Sequence, residues 1–259
     1  MERRIQEVRI SYAEYGRGTP LVALHGAGVD HREMEAAIEP LLPQNHYRRI
    51  YPDLPGMGAS TAEGLTSNTD VVHLLGDFLR DLDAGPVLLL GHSYGAYLAR
   101  GIAATYPDQI SGLALLCPIV DAAHDVPAHR VVRQDPDTYG ELEPGDREGF
   151  DEYFVIRTRA TARRYRDAVL PGTKLGDAAA LERIFRDWPL DLPTSPFPRP
   201  TLLVAGRDDA TAGHSGATAL LEHYPNGTLS ILDDAGHALL HEHPDRVADL
   251  LVDWLSRTA

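Results

Sequence analysis

A hydroxyl, an imidazole and a carboxylate in relay are what acyl transfer needs, and this chain carries residues of all three types in telling places. Ser93 stands in Gly91-His92-Ser93-Tyr94-Gly95, a G-x-S-x-G pattern. The apolar run Val87-Leu88-Leu89-Leu90 precedes it and reads as a buried strand, while residues 96–103 read as a helix. A serine at a tight strand-to-helix turn projects its hydroxyl above the sheet edge, and flanking glycines let the backbone pass close by without a Cβ clash. The turn also brings Ser93 to a helix N-terminus, where unpaired N–H groups favour negative charge.

A serine hydroxyl is a poor nucleophile until a base takes its proton. Twelve histidines compete for that part. His237 ends the loop Asp233-Asp234-Ala235-Gly236-His237, just past an apolar strand at 228–232 and ahead of the last helix. It therefore belongs at the C-terminal edge of a parallel sheet, where open α/β folds bind ligands. A third, buried carboxylate must hold the imidazole in its useful tautomer. Gly206-Arg207-Asp208-Asp209 directly follows an apolar strand at 201–205 and offers two candidates. The structural use of Asp208 is to cap a helix at 215–223 or to pair with Arg207. Charge developing on a carbonyl oxygen needs donors. The N–H of Tyr94 is one, and the loop after the strand at 21–24, His25-Gly26-Ala27-Gly28, is the expected source of a second.

Other motifs carry less. Gly26-x-Gly28 after a strand suggests a dinucleotide fingerprint, but the third glycine position is His31, so no cofactor is expected. There is no H-E-x-x-H, and His241-Glu242-His243 at the start of the last helix reads as a surface feature, so no metal is expected either. His25 and His92 read as structural, and Cys117 as a small buried hydrophobe.

The elements that must position these groups alternate. Residues 6–15, with Gly16-Arg17-Gly18 as a turn, suggest an opening hairpin whose return strand is 21–24. Helical spacing covers 33–42, and a strand at 47–51 ends in the loop Pro52-Asp53-Leu54-Pro55-Gly56-Met57-Gly58. Residues 69–82 have a helical apolar period, followed by strand 86–90, the Ser93 turn with its helix to about Tyr106-Pro107, and strand 112–117. The alternation resumes with strand 201–205, helix 215–223, strand 228–232 and helix 245–257. Short apolar strands alternating with helices predict a mostly parallel sheet covered on both faces. Between them, 119–196 shows no strand signal but a long helix at 146–169 and a shorter one at 177–187. A structureless connection of that length is improbable, so a helical lid over the sheet edge is expected.

Size and charge narrow the partners. A chain of 259 residues fits one domain with an insertion too small to fold alone. Its apolar share of 43 % is ordinary, and no stretch approaches the roughly 20 apolar residues that cross a bilayer. The N-terminus lacks the apolar run of a signal peptide, and one cysteine forms no internal disulfide, so a cytoplasmic location is expected. A net charge of -14, with 38 acidic against 24 basic residues, argues against nucleic acid. The expected partner is a small-molecule substrate, with no membrane, for a monomer or homodimer.

Taken together, His25-Gly26, Asp53-Leu54-Pro55-Gly56-Met57-Gly58-Ala59-Ser60, the Ser93 turn, Gly206-Arg207-Asp208-Asp209 and Gly236-His237 resemble the alpha/beta-hydrolase superfamily over nearly the whole chain. The resemblance implies the alpha/beta-hydrolase fold: about eight mostly parallel strands, helices on both faces and a helical cap. It divides the chain into a core of 1–118 and 197–259 and a cap of 119–196. It assigns Ser93 as nucleophile, His237 as base and Asp209 as acid, in the chain order usual for this fold. Asp121 is a further rival for the acid, because some relatives carry theirs there. Ala27 and Tyr94 would form the oxyanion hole through their amides, with Gly28 keeping the loop open.

The implied activity is hydrolysis of a small carboxylic ester or related acyl compound. The alternatives are C–C cleavage of a ring-cleavage keto acid, lactone or thioester hydrolysis and, from a different class, a non-catalytic small-molecule receptor. Haloalkane dehalogenases and epoxide hydrolases are excluded, since they attack with a carboxylate at this turn. The cap aromatics Tyr139, Phe150, Tyr153, Phe154, Tyr165 and Trp188 are expected to form the lid's own core or to line a cleft. Arg157, Arg159, Arg163 and Arg164 are candidates for a substrate carboxylate or for a solvated helix face.

Overall fold

Residues 1–42, 46–120, 126–190, 192 and 195–258 are described in the structure, a computed structural model. The strands begin with β1 (Glu2–Ile5), β2 (Val8–Gly16), β3 (Thr19–Leu24), β4 (Tyr47–Pro52), β5 (Val87–His92) and β6 (Ile110–Leu116). β7 (Arg133–Gln134) and β8 (Ile156–Arg157) form a separate small ribbon, and β9 (Thr201–Gly206) and β10 (Gly227–Leu232) close the series. The main sheet has eight strands in the order β1-β2-β4-β3-β5-β6-β9-β10. β2 runs antiparallel to β1 and β4, and the other neighbours are parallel.

The central strands carry unbroken apolar runs because each face needs its own cover. Val22, Leu24, Val87 and Leu89 pack on the side of α2 (Asn68–Asp81) and α3 (Tyr94–Thr105). Leu21, Ala23, Leu88 and Leu90 pack on the opposite side, with α1 (Arg32–Ile38) and the C-terminal helix Pro244–Ser256. Successive residues of one strand thus serve two cores, as the two-residue period of a strand requires. α2 starts where the Ser67 hydroxyl accepts the Asp70 amide at 3.1 Å, and it buries Val71, Leu74, Leu75 and Phe78. Each such side chain is worth about 1.5–3 kcal/mol on burial.

Two expectations are corrected. β2 does not fold back on β3, because β4 lies between them. The turn instead admits β4: Gly18 has φ +111° and a Cβ there would meet the His46 carbonyl oxygen at 2.3 Å. Parallel pairing of β3 with both β4 and β5 buries its apolar run on both faces, which an edge hairpin would not.

The helix expected over 146–169 is broken. It becomes α4 (Arg147–Tyr153), strand β8, α5 (Arg159–Arg164), a π turn at Tyr165–Val169 and α6 (Leu170–Thr173). Val155 and Ile156 leave the helix to give their amides to Glu242, and the Thr158 hydroxyl restarts it by capping Thr161. β7 and β8 are strands where none was expected.

α7 (Ala178–Phe185) follows, capped by Asp177. Then come α8 (Ser215–Leu220) after β9, α9 (Leu239–Glu242) after β10, and the C-terminal helix as α10. The cap helices between β6 and β9 pack around Leu142, Phe150, Phe154, Ala162, Tyr165 and Val169, a cluster that also takes in Val29 and Ala238 from the core. Among the described residues no helix is long and apolar enough to cross a membrane.

Candidate active site

β5 ends in the Ser93 turn, whose geometry the two glycines make possible. Ser93 has φ 54° and ψ −116°, a strained conformation for a residue with a side chain. A Cβ on Gly91 would lie 2.3 Å from the Gly95 oxygen, and one on Gly95 would lie 2.3 Å from the Leu24 oxygen. The second approach matters most, because it presses the N-terminus of α3 against the end of β3. The loop at His25–Gly26 is thereby brought beside Ser93, with the Cβ position of Gly26 only 3.5 Å from Ser93 Cβ.

Two further loops deliver His237 and Asp209. Gly206 lies so close to the Ala235 carbonyl, 2.3 Å from a would-be Cβ, that the ends of β9 and β10 are held side by side. His237 Nε2 stands 2.9 Å from Ser93 Oγ, and His237 Nδ1 stands 2.9 Å and 3.1 Å from the two oxygens of Asp209. Asp209 is fully buried, and its Oδ1 also accepts the amides of Thr211 and Ala212 at 2.9 Å and 2.8 Å. Burial alone would push its carboxyl up, but His237 and these amides more than offset this and hold it at about 2. The carboxylate is therefore ionised at neutral pH.

The structure brings Ser93, His237 and Asp209 together. The rival Asp208 is turned away and pairs with Arg130 at 2.6 Å, while Arg207 pairs with Asp233 instead. Asp121 lies outside the described residues. Tyr94 is the first residue of α3, so its amide belongs to a helix N-terminus. Ala27 and Gly28 form the exposed tip of the β3 loop, where Gly28 takes φ +73° with open space around it.

His25 is buried and structural in its contacts. Nδ1–H donates to the Gly26 carbonyl at 2.7 Å and Nε2 accepts the Leu54 amide at 2.9 Å. Burial pulls its pKa down, which suits an accepting, neutral ring. The Asp53 carboxylate behind it accepts from His31 and Ala59, so the Asp53–Ser60 loop braces the β3 loop. Cys117 is fully buried, and burial together with the Asp209 charge raises its thiol well above the usual range.

The cap supplies mostly its own packing. Phe150 stacks on Phe154 at 4.8 Å with Tyr165 at their edge, and Trp188 stacks on Tyr97 at 5.3 Å. Tyr153 differs: its ring lies 5.9 Å from that of His237 and its hydroxyl donates to Glu33. Arg159 and Arg163 both pair with Glu141, and Arg157 with Asp151. Arg164 makes no ion pair among the described residues, and its charge bears on the buried His241.

Two buried acids at the site carry no signal in the sequence analysis. Glu33 sits in the first turn of α1 and is 1 % exposed. Glu242, expected on the surface with its histidine neighbours, is buried instead, as is His241. α9 is tucked beneath the cap, and Glu242 accepts the amides of Val155, Ile156 and Gly236. The ligand atoms of His92, Cys117 and His237 lie within 4.8 Å of one another, as do those of Asp30, His31 and Asp53. In the first group His237 is engaged by Ser93 and Asp209, and in the second His31 is held by Asp53.

A doubly covered, mostly parallel sheet, a G-x-S-x-G turn after its fifth strand and a cap over its C-terminal edge define a hydrolase class. The chain belongs to the alpha/beta hydrolase family, whose sequence profile matches residues 21–250. It is 26 % identical over 254 residues to the (E)-2-((N-methylformamido)methylene)succinate hydrolase of Acinetobacter baylyi, covering 95 % of this chain and 94 % of that protein. It is 25 % identical to the 2-hydroxy-6-oxo-6-(2'-aminophenyl)hexa-2,4-dienoic acid hydrolase of Metapseudomonas resinovorans, covering 97 % and 89 %. Among solved structures, an alpha/beta superfamily hydrolase from Oenococcus oeni PSU-1 superimposes with a TM-score of 0.90 at 26 % identity, covering 100 % and 99 % of the two chains. The chain is a hydrolytic enzyme.

Proposed function

We propose that this enzyme is a serine hydrolase that cleaves small carboxylic acid derivatives through an acyl-enzyme. The observation that carries the reading is the unbroken relay from Ser93 Oγ to His237 Nε2 at 2.9 Å and from His237 Nδ1 to Asp209 at 2.9 Å. His237 takes the hydroxyl proton as Ser93 attacks the carbonyl carbon. The amides of Ala27 and Tyr94 receive the oxyanion. His237 then hands its proton to the leaving group, and next deprotonates the water that releases the acyl group from Ser93. Asp209 holds the ring and offsets its positive charge at each transfer. Residues 119–196 act as the cap on a core of 1–118 and 197–259.

The bond cleaved admits two readings, ester or carbon–carbon, because the same tetrahedral intermediate serves both. The relatives favour the second. The Metapseudomonas enzyme is named for a hydroxy-oxo-dienoic acid, and the Acinetobacter enzyme for a substituted succinate. Both names describe acids, so the substrate proposed here carries a free carboxylate in addition to the carbonyl that is attacked. Carboxylic ester hydrolysis is the reading that the triad supports with the fewest further requirements.

A panel of a ring-cleavage keto acid, p-nitrophenyl esters, a lactone and a thioester, run beside Ser93→Ala, decides between them. Loss of the yellow keto acid with slow ester turnover supports C–C cleavage. Fast ester turnover with an untouched keto acid overturns it. A folded protein whose Ser93 takes no fluorophosphonate label would refute the acyl-enzyme altogether.

A further inference from the structure

One buried carboxylate reaches three separate parts of the site. Glu33 Oε2 accepts the Gly26 amide at 2.8 Å, in the loop that carries Ala27. Glu33 Oε1 accepts the Tyr153 hydroxyl from the cap at 2.8 Å. The same oxygen forms an ion pair with His92 Nδ1 at 3.1 Å, off line for a hydrogen bond. His92 Nε2–H in turn donates to the backbone carbonyl of His237 at 3.0 Å. The Glu33 and His92 side chains are both 1 % exposed. A bare carboxylate in such a place is costly, and swapping a buried ion pair for apolar side chains is often neutral or stabilising. Packing alone therefore gives no reason for a pair here.

What the pair does follows from what it touches. By taking the Gly26 amide, Glu33 fixes the turn of the β3 loop one residue before the amide of Ala27. By orienting His92, it pins the main chain of residue 237, while Asp209 fixes the rotation of the same residue's ring. The base and the oxyanion donor lie on loops more than 200 residues apart, and this is a polar path that joins them. We propose that Glu33 is a positioning residue. Through Gly26 and His92 it sets the spacing between the oxyanion loop and His237, and Tyr153 makes that spacing depend on a seated cap. The proposal rests on the triad reading above.

The test separates the two. Wild-type turnover and fluorophosphonate labelling of Ser93 come first, and an inert Ser93 sinks the triad reading whatever Glu33 does. With an active wild type, Glu33→Gln keeps the shape but halves the accepting capacity and removes the charge. A shift of about 1 Å between reacting groups costs on the order of 100-fold. The expected result is a kcat lowered by about 30-fold with KM changed by less than about 3-fold, while the melting temperature stays within a few degrees.

His92→Gln retains a donor toward the His237 carbonyl but gives up the contact with Glu33. If Glu33 acts through His92, the double variant loses no more than the worse single one, and multiplicative losses overturn that route. A Glu33→Gln enzyme with wild-type kcat overturns the proposal. So does one whose lost rate returns on cooling below its lowered melting temperature. Should Glu33→Gln fail to fold, Tyr153→Phe removes a single donor, and a kcat loss of about 3- to 10-fold is expected, with no loss counting against the proposal.

Discussion

The Glu242 carboxylate accepts the amide proton of Val155 at 2.7 Å, which seats the cap on the loop of His237. The other oxygen of Glu242 accepts the amide of Gly236, the residue before His237, at 2.8 Å. Gly236 is a glycine because Val155 leaves no room: a Cβ would lie 2.8 Å from the valine side chain. Glu242→Ala strands the amides of Val155, Ile156 and Gly236, at about 1–3 kcal/mol for each group left unpaired in the interior. The expected loss is about 3 kcal/mol in urea unfolding, with faster hydrogen exchange at those three amides. Unchanged stability and exchange would show the contact to be idle.

Removing the Ser93 hydroxyl tests the proposed relay directly. Ser93→Ala is expected to lower kcat by at least about 1,000-fold, and Asp209→Asn by about 10,000-fold, since the amide allows the wrong imidazole tautomer. Steady-state turnover of the best panel substrate measures both. An Asp209→Asn enzyme with more than a tenth of wild-type kcat would reassign the acid.

Stability should fall at both ends of the pH range, for opposite reasons. The folded pKa of Asp209 is held at about 2, below its unfolded value, by His237 and backbone amides. Its contribution is present above the usual aspartate range and lost as pH falls toward 2, roughly 2 kcal/mol in all. The pKa of His92 is raised: burial opposes the charge, but Glu33 more than compensates. That contribution is complete below the ordinary histidine range and is lost as pH rises through the raised value. Urea titrations from pH 2 to pH 9 should show the alkaline decline flattened in His92→Gln and the acid decline reduced in Asp209→Asn.

Gly95→Ala probes the close approach that aligns the β3 loop. Its Cβ would meet the Leu24 and His25 carbonyl oxygens at 2.3 Å and 2.5 Å, and main-chain atoms have little freedom to withdraw. The variant is expected to be insoluble, or folded with kcat lowered more than about 100-fold. A soluble variant with wild-type turnover would mean that the spacing is not critical.

The parts of the site that could be read in advance are those the main chain dictates. Gly91, Gly95 and Gly206 are demanded by collisions, so the turns at Ser93 and Asp209 leave a signature that one sequence displays. Glu33 leaves none. An acid in the first turn of a helix ordinarily complements the helix dipole, and partners distant in the chain, His92 and then Tyr153, 120 residues later, enclose it. Glu242 is hidden in the same way, because the cap at Val155 and Ile156 covers α9. The misread helix at 146–169 has a related cause: Val155 and Ile156 continue the apolar period, while their amides are claimed by a carboxylate from the far end of the chain. Local pattern reports local hydrogen bonding, and these bonds are not local.

Because Val29 and Ala238 belong to the same apolar cluster as Phe150 and Phe154, the lid and the loops of Ala27 and His237 are one packing unit. Transplanting a foreign lid to change substrate preference would therefore disturb turnover as well as selectivity. A working chimera would have to import a phenol at the place of Tyr153 and two free main-chain donors at 155 and 156. Selection of new activities from this scaffold is better aimed at side chains that overhang the nucleophile than at exchange of the lid as a module.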